Sequence, residues 1–231
     1  MAESIIKGIT LKVIETIHPK ASILIFTNSG HLSLYAEGIF NTNSKNRSNL
    51  ILGSLVEVEY FRARLNNKMS KLKKVSILKE VDVTQLFNSL FIQKIIYIFD
   101  YITVKNNLVD IYEKLIDFIG IGRNSHILTI LASYILTYNG YEPNFSKCSE
   151  CGSFKNISDF EFYKGGYLCQ NHSKNSISIE ELEAYYWLRN DHKKYIEEVT
   201  PTINKLIYQK LINHLSEIGF AISWEDLSKF T

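Results

Sequence analysis

The sequence contains few cysteines and no long apolar run. Its 231 residues include three cysteines, three prolines and two tryptophans. No stretch of about 18 consecutive apolar residues occurs, so we expect no membrane-spanning helix and no membrane partner. The most apolar run, Ile95 to Val104, is short and is interrupted by Asp100. Three thiols cannot all pair, and reduced thiols are usual in the cytoplasm, so a cytoplasmic protein without disulfides is expected.

Sequence signatures of catalysis are also missing. There is no Gly-x-x-x-x-Gly-Lys-Ser/Thr phosphate loop and no Gly-x-Ser-x-Gly nucleophile motif. Five of the histidines are scattered along the chain without grouping: His18, His31, His126, His192 and His214. We therefore assign no catalytic residues and expect a protein that is not an enzyme.

Strand patterns fill the first 80 residues, and helical patterns follow. β-branched residues dominate Ile9 to Ile17, a turn signal at Asn28-Ser29-Gly30 divides the next apolar stretch, and residues 53–61 alternate. Residues 41–49 are polar and predict a mobile loop. From about Val81 the apolar residues recur at helical spacing. Five short strands with polar connections suit an OB-fold barrel.

The predicted fold class is α+β multidomain, with an N-terminal OB-fold β-barrel followed by an α-helical domain that carries a zinc-knuckle insertion. The predicted OB-fold nucleic-acid-binding domain covers residues 1–80. The helical domain covers 81–147 and 173–231, and the zinc-binding insertion covers 148–172.

All three cysteines lie in one segment that ends with a histidine, CSECGSFKNISDFEFYKGGYLCQNH. The spacing is Cys-x2-Cys, seventeen residues, then Cys-x2-His. Two ligands separated by two residues can reach one ion from a tight turn, and two such pairs supply the four donors of tetrahedral zinc. The predicted metal ligands are Cys148, Cys151, Cys169 and His172.

The alternative to a structural site is a catalytic zinc, which keeps three protein ligands and one open position. Four candidate ligands leave no position open, and no glutamate occurs in a metalloprotease or deaminase signature. We therefore predict one structural Zn(II) ion that holds an insertion too small to fold alone.

Positive charge is concentrated near the N-terminus. Residues 1–80 carry 12 Lys and Arg against 6 Asp and Glu, a net +6, and the remaining 14 and 18 give −4, which sum to +2. No acidic residue lies between Arg62 and Lys79. This uneven distribution of charge favours a polyanion-binding face, although a solvated lysine-rich hairpin would have the same pattern.

An OB-fold binds single strands through a positive groove and exposed aromatic residues. Tyr35, Phe40, Tyr60 and Phe61 are the aromatic candidates; Tyr35 and Tyr60 are equally compatible with the barrel core, and Phe40 is expected to be the most exposed. The predicted DNA-binding residues are Lys45, Arg47, Arg62, Arg64, Lys71, Lys73 and Lys74.

Several segments resemble one known family in order along the chain. The N-terminal strands, the LVEVEYFRAR strand, GYEPNFSKCSECG and GGYLCQNH look like the RecO family of bacterial recombination mediators. The resemblance implies an OB-fold that binds DNA, a helical domain with a zinc module, and no turnover. It implies binding of single- and double-stranded DNA, strand annealing in DNA repair after DNA damage, and a cytoplasmic, nucleoid-associated protein.

The resemblance also implies partners: RecR, the C-terminal tail of single-strand-binding protein, and RecA indirectly, which is loaded at gaps. This chain departs from the family in two places. His172 stands where many members have a fourth cysteine, and Glu37 stands where a positive residue is common. Because the loop after Gly38 offers only Lys45 and Arg47, the expected DNA contacts shift toward Arg62 to Lys74.

Two other functional classes fit the same patterns. An OB-fold and zinc protein that binds RNA as an accessory factor has the same charge distribution. A non-catalytic interaction scaffold would instead use its helical domain to hold an acidic peptide. Competition between single-stranded DNA and RNA of equal length separates the first of these from the DNA-binding interpretation.

Overall fold

The computed structural model describes residues 3–65 and 68–220. The ends of the predicted domains at residues 1–2 and 221–231 lie outside this range. The strands are β1 (Glu3–Glu15), β2 (Lys20–Thr27), β3 (Gly30–Glu37), β4 (Leu55–Phe61), β5 (Ser70–Lys79), β6 (Ile157–Glu161) and β7 (Gly166–Cys169). The helices are α1 (Lys45–Asn49), α2 (Leu86–Asp100), α3 (Leu108–Leu115), α4 (Asn124–Tyr138), α5 (Ile179–Asn190), α6 (His192–Glu198) and α7 (Pro201–Glu217), with 3-10 turns at Ile116–Phe118 and Phe162–Lys164.

By contacts the chain divides into two units, Met1–Ile119 and Gly120–Thr231. The first unit contains the five N-terminal strands with α1, α2 and α3, and the second contains the other helices and the β6–β7 hairpin. The α+β class is confirmed. The predicted boundaries at residues 80, 147 and 172 stay predictions, and α2 and α3 belong by contacts to the same unit as the strands.

The five N-terminal strands form a sheet of order β1-β2-β3-β5-β4 that closes on itself, here named the strand ring. Closure depends on the length of β1, which pairs with β4 over Glu3–Ile9 and with β2 over Ile9–Glu15. Near the change of partner strand, a Cβ on Gly8 would lie 2.6 Å from the Phe26 carbonyl oxygen. A glycine is therefore needed at this close approach of two backbones.

Alternation of side chains fills the interior of the strand ring. On β2, Ala21, Ile23 and Ile25 are buried, whereas the intervening residues are only half-buried. This pattern is the one expected of strands with one face toward a core. The core of the ring consists of Ala21, Ile23, Ile25, Leu34, Ala36, Ile39, Leu50, Val56, Val58, Tyr60, Leu72 and Val75.

One sequence-based prediction about the strand ring needs correction. The polar segment 41–49 was expected to be a loop, but its second half forms the short helix α1. The side chain of Asn46 accepts from the Val75 N–H and donates to the Lys73 carbonyl, so polar groups of the helix replace missing sheet partners along β5. Such side-chain to backbone bonds are a common use of asparagine outside regular elements.

Helix α3 packs on the strand ring through polar as well as apolar contacts. The hydroxyl of buried Tyr112 donates to the Gly53 carbonyl at 2.7 Å. Lys7 on β1 lies 2.6 Å from the Glu113 carboxylate and 3.3 Å from that of Asp110. The first unit is thus a strand ring with helices on its outside.

In the second unit, α4 is buried from Asn124 to Leu136. Because nearly every side of the helix is covered, apolar residues occur around the whole circumference rather than along one stripe. The helix is followed by Gly140 at φ +84°, a conformation that suits a glycine after a helix end.

Sequence signals mark the starts of α5 and α7. The Ser178 side chain accepts from the Glu181 N–H at 3.1 Å and caps α5. Pro201 opens α7 one residue after the Thr200 cap, where a missing N–H costs nothing. Among the described residues, every helix is too short or too polar to cross a bilayer.

Candidate metal centre and nucleic-acid interface

The four predicted metal ligands converge at one point of the second unit. Cys148 and Cys151 lie on the turn before β6, Cys169 is the last residue of β7, and His172 lies on the turn after it. Their ligand atoms all lie within 4.8 Å of one another. The β6–β7 hairpin produces this proximity by pairing Ile157 with Cys169.

The distances between the ligand atoms match the edges of a zinc tetrahedron. Bonds of about 2.3 Å to sulfur and 2.0–2.1 Å to nitrogen give S···S edges of about 3.8 Å and S···N edges of about 3.5 Å. The Cys151 and Cys169 sulfurs are 3.8 Å apart. The His172 Nδ1 lies 3.6 Å from the Cys148 sulfur and 3.2 Å from the Cys169 sulfur. Three thiolates and one imidazole therefore fit a closed zinc site, with Nδ1 as the histidine donor.

Backbone N–H groups favour the thiolate form of Cys148. Burial acts to raise the pKa of Cys148, but N–H groups of Cys151, Cys169 and Glu150 outweigh it and lower that pKa to about 6. Since the thiolate is the form that binds metal, this environment favours ligation. The contact with His172 is the largest cause that lowers the pKa of Cys169.

Glycines and hydrogen bonds hold the metal-binding turns together. Gly166 has φ +119°, and a Cβ there would lie 2.3 Å from the Asn144 carbonyl oxygen. The two backbones bond at this crossing, with the Asn144 N–H donating to Gly165 and the Tyr167 N–H donating to Asn144. The Ser149 hydroxyl also donates to the Lys164 carbonyl at 2.8 Å. The segment from 143 to 172 is thus braced on both sides of the ligands.

The predicted DNA-binding lysines of β5 are paired with carboxylates. Lys71 lies 3.1 Å from Glu37, and Lys73 lies 3.1 Å from Glu3 and 3.2 Å from Glu59. Lys74 also contacts Glu59, at 3.6 Å. Glu59 is the register partner of Lys74 on β4, Glu37 lies on β3, which also pairs with β5, and Glu3 lies on β1 beside β4. The positive charge that the sequence pattern suggested along β5 is therefore largely balanced on the surface.

The remaining predicted cations differ in their environment. Arg47 donates to the Phe40 carbonyl at 3.1 Å, which holds it against the strand ring. Lys45, Arg62 and Arg64 are exposed, and none has a carboxylate partner in the part of the chain that the structure describes. The role of these residues in DNA binding stays a prediction.

A cavity of about 670 Å³ opens on the strand ring beside the unpaired cations. It lies over β2 and β3, between the turn after β1 and the turn before β5. Lys20, Arg64 and Lys68 line it together with Tyr35, whose ring the Lys71 ammonium approaches at 5.9 Å. We name this feature the cationic groove. It joins residues from three separate parts of the sequence.

Sequence reasoning missed Lys20 and Lys68 as members of the cationic groove. Lys20 is the first residue of β2 and lies far in sequence from the other cations of the groove, whereas Lys68 is one cation of the run from Arg62 to Lys79. The signal that could have found them is the strand order, since strands 2 and 3 and the turns beside them meet on one side of an OB-fold. Within the described residues, neither lysine has a carboxylate partner.

The aromatic candidates separate into core and groove residues. Tyr60 is 6% exposed and belongs to the core of the strand ring. Phe40 was expected to be the most exposed but is half-buried and packs against that core, so this expectation was wrong. Tyr35 is half-buried and lines the cationic groove. Of the four, Tyr35 has the position best suited to stack on a base.

A family model described as the C-terminal domain of recombination protein O matches residues 111–185, which include all four candidate metal ligands. This match supports membership of the chain in the RecO family. The resemblance seen in the sequence is thereby confirmed. No curated protein matches the chain.

Solved structures give only weak likenesses. An asparaginyl-tRNA synthetase from Pyrococcus horikoshii, complexed with asparaginyl-adenylate, is 14% identical over 97% of this chain and 66% of that chain, with a TM-score of 0.30. One from Entamoeba histolytica is 10% identical over 61% and 33%, with a TM-score of 0.29. A putative aspartyl-tRNA synthetase from Leishmania major Friedlin is 11% identical over 61% and 30%, with a TM-score of 0.27. The RecO-family chain spans 30 to 66% of the length of these synthetases, and likeness at this level carries no functional information.

Proposed function

We propose that this RecO-family chain is a DNA repair and recombination mediator that is not an enzyme. It binds single- and double-stranded DNA and anneals complementary strands. With RecR it helps RecA to load onto DNA that is coated by single-strand-binding protein, whose C-terminal tail it contacts. Membership of the family supports the general role, and the arrangement of the strand ring supports DNA as the ligand.

The connectivity of the strand ring supports the proposal of an OB-fold. Strands follow the order 1-2-3-5-4, close from β4 back to β1, and carry a helix between β3 and β4. OB-folds bind oligonucleotides on the face of strands 2 and 3, between the loops after strands 1 and 4. The cationic groove lies at that place, and this is the observation that carries the proposal.

The chemistry of the cationic groove suits a single strand without sequence preference. Lys20, Arg64 and Lys68 can bind phosphates without first breaking an ion pair with a carboxylate of the described residues. Tyr35 offers a ring face, and stacking on it does not depend on base identity. Annealing requires this combination, because the protein must hold two strands by their backbones while their base edges pair with each other.

In this proposal the zinc ion has a structural role. Cys148, Cys151, Cys169 and His172 would hold it, and the ion supplies the link between two turns whose own core is small. The four ligands leave no open position for a substrate or water. The metal centre thereby stabilises the helical unit and takes no part in chemistry.

The test compares two double variants that change net charge equally. Arg64→Gln with Lys68→Gln removes unpaired cations of the groove, and Lys73→Gln with Lys74→Gln removes paired ones. Affinity for a labelled single strand is measured over a range of salt concentrations. The groove variant should bind more weakly, and its log–log salt slope should fall by about 0.7 for each lost phosphate contact. The β5 variant should change much less.

Three results would count against the proposal. If wild-type protein has no affinity for DNA in dilute buffer, the proposed function is refuted. If the two double variants lose affinity equally, the groove is excluded as the binding site. A clear preference for RNA over single-stranded DNA of equal length favours the accessory RNA-binding function instead. A strand-annealing assay with complementary oligonucleotides then separates a mediator from a protein that only binds.

A further inference from the structure

The metal-binding segment buries most of its aromatic residues but leaves two on the surface. Phe160 stacks on Tyr185 at 3.9 Å between ring centroids and on Phe145 at 5.4 Å, and all three are buried. In contrast, Phe154 is 72% exposed and Tyr163 is 64% exposed. The aromatic core of this segment is thus complete without these two rings.

The two exposed rings lie on turns that are bonded to each other. Phe154 follows Ser153, whose carbonyl accepts from the Cys148 N–H in the first metal-binding turn. Tyr163 precedes Lys164, whose carbonyl accepts from the Ser149 hydroxyl of the same turn. A bound metal would therefore hold both rings on rigid supports, which reduces the conformational entropy lost when a ligand stacks on them.

The metal-binding segment, residues 143–177, carries four exposed lysines. Within the described residues, none of them forms an ion pair with a carboxylate: Lys147, Lys155, Lys164 and Lys174. The Lys164 ammonium lies 5.8 Å from the centroid of the Tyr163 ring. The lysines are exposed and exceed the nearby negative charges, which are Glu150 and the single net charge of three thiolates around a divalent ion.

The other acidic residues of the segment contribute little to its surface. Asp159 is buried and accepts from the Ser173 hydroxyl. Glu161 is half-buried; burial raises its pKa, and the charges of Lys210 and Lys164 oppose that rise. The surface presented to solvent around Phe154 and Tyr163 is thus cationic and aromatic.

We propose that the metal-binding segment carries a second binding surface for single-stranded nucleic acid, with Phe154 and Tyr163 as stacking platforms and the four lysines as phosphate contacts. The inference rests on the proposed function in taking nucleic acid as the ligand, but it concerns a different part of the molecule. Duplexes are poor ligands for this surface, because their bases are already stacked on each other and expose no faces.

The test uses Phe154→Ala and Tyr163→Ala in the full chain, singly and together. Each single change should lower the affinity for a single-stranded oligonucleotide by roughly fivefold or more, since an aromatic–base stack is lost. Affinity for a duplex should stay within about twofold of wild type, because its bases expose no faces for stacking. Phe154→Tyr and Tyr163→Phe should retain wild-type binding, because they keep a ring. The zinc content of each variant reports whether the segment is intact.

Further measurements distinguish a loss of base stacking from a loss of charge or of folding. Tyr186→Ala removes a ring that is 48% exposed on α5 and should leave affinity unchanged. An abasic strand of equal length should bind wild type and the double variant equally, because it has no bases to stack. In wild-type protein, 2-aminopurine in the strand should be quenched on binding and less so in the double variant.

The outcomes separate this inference from the proposed function. If wild type binds no DNA, both fail. If wild type binds through the cationic groove but the double alanine variant keeps full single-strand affinity, the second surface is refuted and the groove stands. Equal loss of affinity for the abasic strand also refutes stacking, since only charge or structure would then have changed.

Discussion

At the scale of single residues, His172 is the position where the candidate metal centre departs from an all-cysteine site. Its Nδ1 lies 3.6 Å from the Cys148 sulfur and would take the corner of the tetrahedron that a fourth sulfur would otherwise occupy. Imidazole and thiolate are both good zinc ligands, so the change alters the charge of the site rather than its closure.

His172→Ala should lower zinc affinity by roughly two to three orders of magnitude, about a quarter of the ~10–16 kcal/mol that binds a structural zinc ion. His172→Cys should retain the ion, because four thiolates also satisfy the tetrahedron. Zinc stoichiometry and competition with a coloured chelator measure both effects. His18→Ala, which removes an exposed histidine of the first unit, is the control. Unchanged zinc affinity in His172→Ala would exclude this residue as a ligand.

Residues that are close in sequence could be predicted well, and residues brought together by strand pairing could not. The two ligand pairs have their partners three residues apart, so spacing alone indicated the metal centre. Glu59 and Lys74 face each other only because β4 and β5 pair in one particular register. A run of lysines without neighbouring acids in sequence therefore predicted a positive face that the fold largely neutralises.

At the scale of elements, the β6–β7 hairpin depends on the crossing of Gly166 with Asn144. The left-handed φ and the close carbonyl both exclude a side chain at this position. Periodicity could not indicate this contact, since Gly166 is separated from Asn144 by the whole metal-binding turn. The strands and helices themselves were predictable because their alternating and helical patterns reflect which faces they bury.

Gly166→Ala should disrupt the hairpin and reduce zinc binding, with a loss of stability of about 2 kcal/mol or more from strain and steric overlap. Gly140→Ala is the matched control, because it also has a positive φ but no atom within 4 Å of the added Cβ. Chemical unfolding and zinc content measure the difference. Equal effects of the two substitutions would show that φ alone, and not the crossing with Asn144, constrains residue 166.

The packing of α4 against the end of α6 should depend on pH through His126. Burial is the largest cause that lowers the pKa of His126, and its Nε2 donates to the Val199 carbonyl at 2.9 Å. Since the unfolded state binds this proton more readily, the stabilisation is complete above the ordinary pKa of 6.5 and is lost as the pH falls below it.

Unfolding experiments on zinc-loaded protein at pH 7.5 and pH 5.5 test this dependence. Wild type should lose more stability between these values than His126→Gln, because glutamine retains a donor but does not titrate. His214, whose pKa burial also lowers, adds to the loss in both proteins and therefore cancels in the comparison. An equal loss in wild type and variant would remove His126 as a source of the effect.

At the scale of the whole molecule, the two units are stabilised in different ways. The strand ring has a continuous apolar core, whereas the segment around the metal centre depends on a few aromatic residues and four ligands. Removal of zinc should therefore affect one unit selectively. The division of the chain between Ile119 and Gly120 was less predictable than either unit, because it follows from which helices pack on the strands.

Chelation should abolish hydrogen-exchange protection in residues 143–172 and leave β1 to β5 protected. The reason is that metal binding provides the folding free energy of the short segment but not that of the strand ring. Hydrogen exchange measured by mass spectrometry, with and without chelator, resolves the two regions in one sample. Loss of protection throughout the chain would show instead that the units unfold together.

The glutamates that face Lys71 and Lys73 have a consequence for any DNA strand that would reach β5. Each carboxylate is part of the protein and competes with a phosphate for the ammonium group that it contacts. A strand at β5 would have to displace these fixed anions instead of mobile salt ions, so contact there would release few ions into solution. Such a surface would gain little affinity from dilution of the buffer and would release a strand readily.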